Sequence, residues 1–119
     1  MSTYVGLLSS KARTADEDSP FISVAEKYSA AHVIVDVTAG TGFNVQVSVK
    51  GRDAASGKSY TLLDSAMIDA AGTTVLRIGP ELTASTNLIA KDYMPATWYV
   101  ATTVSGGVAA TYSVGASLI

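Results

Sequence analysis

Between residues 31 and 51 apolar and polar positions alternate with a period of two. Val33, Val35 and Val37 are separated by Ile34, Asp36 and Thr38; Phe43, Val45, Val47 and Val49 alternate with Asn44, Gln46, Ser48 and Lys50. Such alternation puts successive side chains on opposite faces of an extended chain, one dry and one wet. Ala39-Gly40-Thr41-Gly42 joins the two runs. Its glycines reach positive φ without a Cβ clash, so residues 31 to 51 are expected to form a hairpin. Thr97 to Val104 and Ala110 to Ala116 flank Ser105-Gly106-Gly107 and carry the same signature, so a second hairpin is expected there.

Weaker runs add strands. Ser59 to Leu63 follows the turn cluster Asp53 to Lys58, Thr74 to Ile78 follows Ala71-Gly72-Thr73, and an apolar start at Tyr4 to Leu8 gives one more. Ser23-Val24-Ala25-Glu26 has the form of a capping box and predicts a helical turn through Tyr28 to Ala31. Gly79 to Pro95 is long for a loop, and its Leu82, Leu88, Ile89 and Tyr93 are expected to cover something apolar in an ordered crossover. Ser9 to Pro20 is polar and poorly patterned, so residues 1–20 read as a strand followed by an arm or mobile loop, ahead of one domain over 21–119. Short strands, turn signals and no long helical period predict an all-β fold, an antiparallel β-sandwich of about six to eight strands.

Composition narrows what such a sandwich does. A chain of 119 residues buries roughly two-thirds of its unfolded surface and builds one core. With 48% apolar and only 15% charged residues, the surface is finished by Ala, Ser and Thr, which suits a molecule packed against neighbours. A net charge of −2 with scattered basic residues leaves no electrostatic footprint for nucleic acid. The absence of Cys removes disulfides, thiolate nucleophiles and Cys-based zinc sites. The start has no basic region ahead of its apolar residues, and the Val33-Ile34-Val35 run is interrupted at Asp36, far short of the ~20 residues a bilayer needs. Neither a secretory signal nor a membrane partner is therefore expected.

Catalytic chemistry finds little to work with. His32 is the sole imidazole, it stands at the entrance to a strand, and no Gly-x-Ser-x-Gly elbow accompanies it, so it reads as an edge or interface histidine. Asp16-Glu17-Asp18 lacks the spacing of a calcium loop and reads as a solvated acidic loop. Asp53, Asp64, Asp69, Glu81 and Asp92 all fall in or beside turns, where carboxylates are common. Gly40-Thr41-Gly42 leads into a strand, so no helix N-terminus follows to hold a phosphate. A non-enzyme without metal or cofactor is expected. In the last hairpin, alternation sends Trp98 inward and Tyr99 outward, where an aromatic could meet a sugar or a protein.

Three runs carry a resemblance: Val35-Asp36-Val37-Thr38; Gly51-Arg52-Asp53 with Ala55 to Leu63; and Gly72 to Pro80. Together with Asp92-Tyr93-Met94-Pro95 before Thr97-Trp98, and the ending Tyr112 to Leu118, they resemble small structural proteins of tailed bacteriophages over about residues 31–119. One departure is that relatives tend to follow the tryptophan with Arg-Val-Arg, where this chain has Tyr99-Val100-Ala101. The resemblance implies a virion component on the capsid surface, a decoration or cement protein whose partner is the major capsid protein. It also implies a homo-oligomer, with a trimer matching local threefold sites of a shell. A head-to-tail or tail component and a receptor- or carbohydrate-binding module are the alternatives. Protein contacts are expected at Tyr4, Leu7, Leu8 and Arg13, at Tyr99, and at Leu118 and Ile119, the last two docked against the fold or a neighbour.

Overall fold

The structure is a computed structural model that describes residues 3–23, 28–106 and 108–119. Among these residues there is no helix, and the strands in chain order are β1 (Thr3–Arg13), β2 (Glu17–Asp18), β3 (Ile22–Ser23), β4 (Ala31–Ala39), β5 (Asn44–Arg52), β6 (Ser59–Asp64), β7 (Gly72–Ile78), β8 (Ile89–Ala90), β9 (Thr97–Ser105) and β10 (Ala110–Leu118). The central residues of the expected helical turn, Val24 to Lys27, lie outside the described residues.

Two sheets form, in the orders β1-β10-β4-β7-β8 and β2-β9-β5-β6, with β3 also paired to β9. All pairs are antiparallel except β7 with β8. The sandwich expected from alternation is therefore present, and the order β1-β10-β4-β7 facing β2-β9-β5-β6 is that of a jelly roll. Val33, Val35 and Val37 of β4 and Val45, Val47 and Val49 of β5 are 0–2% exposed and form the middle of the core with Leu76, Trp98, Val100, Tyr112 and Val114. Each such side chain contributes about 1.5–3 kcal/mol relative to exposure, which is the force that holds the sheets face to face.

Both expected hairpins are corrected. β4 and β5 lie in different sheets, and so do β9 and β10. The glycine turns reverse the chain, but they carry it over the end of the core into the opposite sheet, making arches rather than hairpins. The reason is that alternation only demands a buried face. Two consecutive strands meet that demand equally well side by side in one sheet or facing each other across the core. Gly40 (φ 128°), Gly42 (φ 74°) and Gly106 (φ 101°) do take the left-handed half of φ space. A Cβ on Gly106 would lie 2.4 Å from the Gly42 carbonyl oxygen, and one on Gly40 2.8 Å from the Ala109 carbonyl oxygen and 2.7 Å from the Phe43 ring. The two arches thus stack on one another, with Phe43, 1% exposed, as the plug beneath them.

The amino-terminal segment belongs to the sandwich. β1 runs the length of β10, from Thr3 opposite Leu118 to Arg13 opposite Ala110, and the chain then crosses to the other sheet, where Glu17 and Asp18 pair with Thr102 and Ala101. Gly79 to Pro95 form the ordered crossover expected of them. Arg77 N–H donates to Leu88 O, Gly79 N–H to Ala90 O, Asp92 N–H to Gly79 O and Met94 N–H to Ser29 O. Asn87 takes φ 61° and its Nδ2 donates to Asp64 O, fixing the tip. Leu82 and Ile89 are half-buried, but Leu88 and Tyr93, expected to cover apolar surface, stand out at 47% and 67% exposure.

Candidate functional site

Five of the expected contact residues are buried: Leu7, Leu8, Arg13, Leu118 and Tyr99. The pairing of β1 with β10 slips between Gly6 and Leu8, so Leu7 is an extra residue and both leucines turn into the core, at 5% and 6% exposure. A regular strand would have sent one of them outward. Leu118 continues the alternation of β10 and is 1% exposed. Arg13 is 5% exposed, its guanidinium held by four acceptors. It donates to Tyr112 O at 2.6 Å, Ser9 O at 2.6 Å, Lys11 O at 3.3 Å and Glu17 Oε1 at 2.9 Å, and it lies 4.6 Å over the Tyr112 ring.

That arginine organises a network between the sheets. Glu17 also meets Lys11 Nζ at 3.6 Å, its backbone carbonyl accepts from Thr102 Oγ1, and Thr102 shares a hydrogen bond with the Tyr112 hydroxyl. The hydrogen bond from Arg13 holds the Glu17 carboxyl below its usual pKa. Burial pushes the Tyr112 hydroxyl above its own. Asp16, from the same acidic run, accepts from Val104 N–H at 3.0 Å. The run expected to be a solvated loop is thus a strap that ties the two sheets together. Among the described residues no three His, Asp or Glu side chains gather as metal ligands would.

Tyr99 is likewise corrected. Alternation does place Trp98 in the core and Tyr99 on the outer face of the second sheet, yet Tyr99 is only 9% exposed. The segment leading into β3 runs beside β9 and stands Phe21 edge-on against it, with ring centroids 5.3 Å apart. The Tyr99 hydroxyl donates to Ser59 Oγ.

Tyr4 and Ile119 remain as surface residues, at 69% and 45% exposure, and the fold brings them to one neighbourhood. In the first sheet Tyr4 is in register with Ser117, Ser117 with His32, and His32 with Arg77, forming one row across β1, β10, β4 and β7. The Tyr4 ring lies over Gly115, where a Cβ would sit 2.6 Å from its hydroxyl oxygen, so a side chain at 115 would displace the ring. Ile119 is held by its backbone, donating to Ala30 O and accepting from Ser29 and Ala30 N–H. Beside it opens a groove of about 520 Å³ lined by His32, Pro80, Glu81, Leu82, Tyr93 and Ile119 among others. His32 therefore sits on an interior strand and lines a groove, not an edge. Tyr93 and Leu82 carry a sequence signal only as part of an apolar crossover; Phe21, which covers Tyr99, and Arg52, which lies over Phe21, have no periodic signal to mark them.

The fold and this surface define a jelly-roll sandwich with exposed apolar side chains beside a groove at one end. No family model, curated protein or solved structure matches the chain.

Proposed function

We propose that this chain is a non-catalytic structural protein of a tailed-phage virion, a decoration protein that bridges subunits of the major capsid protein on the outer shell. The observation that carries the reading is the exposure of Tyr93 and Ile119, at 67% and 45%, on the groove at one end of the first sheet. Exposed apolar side chains clustered at a groove are a contact surface in want of a partner. The sequence resemblance supplies the class of partner. Jelly rolls also recur in viral capsid proteins, which is an analogy of fold alone. Many such weak contacts, repeated over a shell, sum by avidity.

Because β1 and β2 are parts of the two sheets, removing residues 1–20 would unfold the sandwich rather than test an arm. Point substitutions are the appropriate probe. Tyr93→Asp and Ile119→Asp are expected to leave the fold intact and abolish co-sedimentation with purified shells. Undiminished binding by both would overturn the reading. Quantitative mass spectrometry of virions separates it from the neck or tail alternative, with on the order of hundreds of copies expected for decoration and about a dozen or fewer for a joining protein.

A further inference from the structure

The outer face of the second sheet ends in two cations set around aromatic rings. Lys50 and Arg52 are alternate residues of β5 and share that face. Tyr99 reaches across β5 to Ser59 of β6. Phe21 stands against Tyr99 and carries the Arg52 guanidinium 4.6 Å over its ring, while remaining 52% exposed. Among the described residues Arg52 is thereby held in place with no carboxylate paired to it. The ion pairs among the described residues are those of Glu17 with Lys11 and Arg13. Asp53, next along the chain, is occupied by its own turn, accepting from Ala55 N–H, Ser56 N–H and the Ser56 hydroxyl.

One row further along the same face the charge changes sign. Asp18 is in register with Ala101, Ala101 with Ser48, and Ser48 with Asp64. A uniform polyanion laid on Lys50 and Arg52 would meet these carboxylates. A segment carrying an acid, a base and an aromatic ring in close succession matches the face better.

The chain presents such a segment itself. Lys91, Asp92 and Tyr93 are consecutive and exposed, Tyr93 at 67%. One Asp92 oxygen accepts from Tyr93 N–H, leaving the other for a partner. Tyr93 lines the groove beside the first sheet, so it lies on the other side of the sandwich from Phe21 and cannot reach its own basic face. We propose that the basic–aromatic end of the second sheet docks the Lys91-Asp92-Tyr93 segment of a second copy of this chain. Asp92 lies on Arg52 and Lys50, Tyr93 stacks on the open side of Phe21, and Lys91 turns toward Asp18, so this contact and shell binding through the Tyr93 groove exclude one another at any one copy. The two surfaces are different, so the contact is head-to-tail and leaves each copy one free donor and one free acceptor face until a ring closes. Aromatic side chains bury about 150–250 Å² each, below the ~800 Å² per partner of a standard interface, so the contact is weak and salt-sensitive.

Sedimentation velocity of the full chain between about 10 μM and 1 mM tests it. Reversible association is expected at low salt, loosened at roughly 0.5 M salt. Arg52→Glu and Asp92→Lys should each weaken association at least about tenfold, and the double variant should recover to within about threefold of the original. Should that double variant misfold by its amide spectrum, Lys50→Glu paired with Asp92→Lys reads the same contact. A chain that stays monomeric throughout, association untouched by either single change, or a folded charge-swapped pair that fails to recover would each overturn the proposal.

Discussion

The turn between β5 and β6 and the two glycine arches all reverse the chain, yet they work in different ways. The β5–β6 turn is self-sufficient. Asp53 N–H donates to Lys58 O, Gly57 N–H donates to Asp53 O, and the Asp53 carboxylate accepts from the Ala55 and Ser56 N–H groups, so the strands on either side must pair with each other. Among the described residues the arches show no such closure. They rest on each other, on Phe43 beneath, and on the Arg13–Glu17–Tyr112–Thr102 network, which ties β1 and β10 of one sheet to β2 and β9 of the other. A local turn chooses its strand partner by its own hydrogen bonds, whereas an arch is chosen by the core it closes.

This contrast can be broken most severely at the plug. Phe43→Ala should cost about 3–5 kcal/mol, measured by urea unfolding, because it opens a cavity under both arches at once. Gly106→Ala comes next, at roughly 2–4 kcal/mol, since the new Cβ combines an unfavourable φ with a collision against the Gly42 backbone. If that substitution proved neutral in thermal unfolding, the stacking of the arches would be wrong.

The acid limb sharpens the comparison more gently. The folded-state pKa of Glu17 is depressed, so its stabilising contribution is present above its unfolded pKa and is lost as pH falls through the lower folded value. A Glu17→Gln variant should therefore lose less stability than the original when acidified below about pH 4.5, in melting curves taken stepwise toward pH 2. Asp53 is depressed by the Ser56 hydroxyl and the Ala55 and Ser56 N–H groups, and the sign is the same. Asp53→Ala should give the smallest change of the four at neutral pH. It is expected to raise hydrogen exchange in the turn while leaving the arches protected. Equal loss of protection at Gly40 to Phe43 would mean that the turn and the arches are one cooperative unit.

How much of this was legible in the sequence follows the range of each signal. The valine alternation of β4 and β5 marked the inward faces correctly, because a period of two reports burial at the residue itself. The glycines marked reversals correctly, because positive φ is a local requirement. Leu7 and Leu8 were misread as surface because the slip against β10 that turns both inward is a property of the pair of strands, not of β1. Arg13 read as a contact residue because an arginine in a polar stretch normally is one; only the carbonyls of Ser9, Lys11 and Tyr112, converging from two strands, make it interior. Tyr99 was placed on the right face and still misjudged, since alternation says nothing about Phe21, 78 residues earlier in the chain, lying across it.

What the sequence alone determined is the all-β class, the buried faces of β4 and β5 and the positions where the chain turns, all of which depend on residues at most a few positions apart. Which sheet each strand joins, the crossing of the amino-terminal strap, and the meeting of His32, Tyr93 and Ile119 at one groove were decided by tertiary structure. Apolar burial is non-directional: it rewards any arrangement that hides the same faces. The choice among those arrangements falls to hydrogen-bond register and to close packing between residues far apart in the chain.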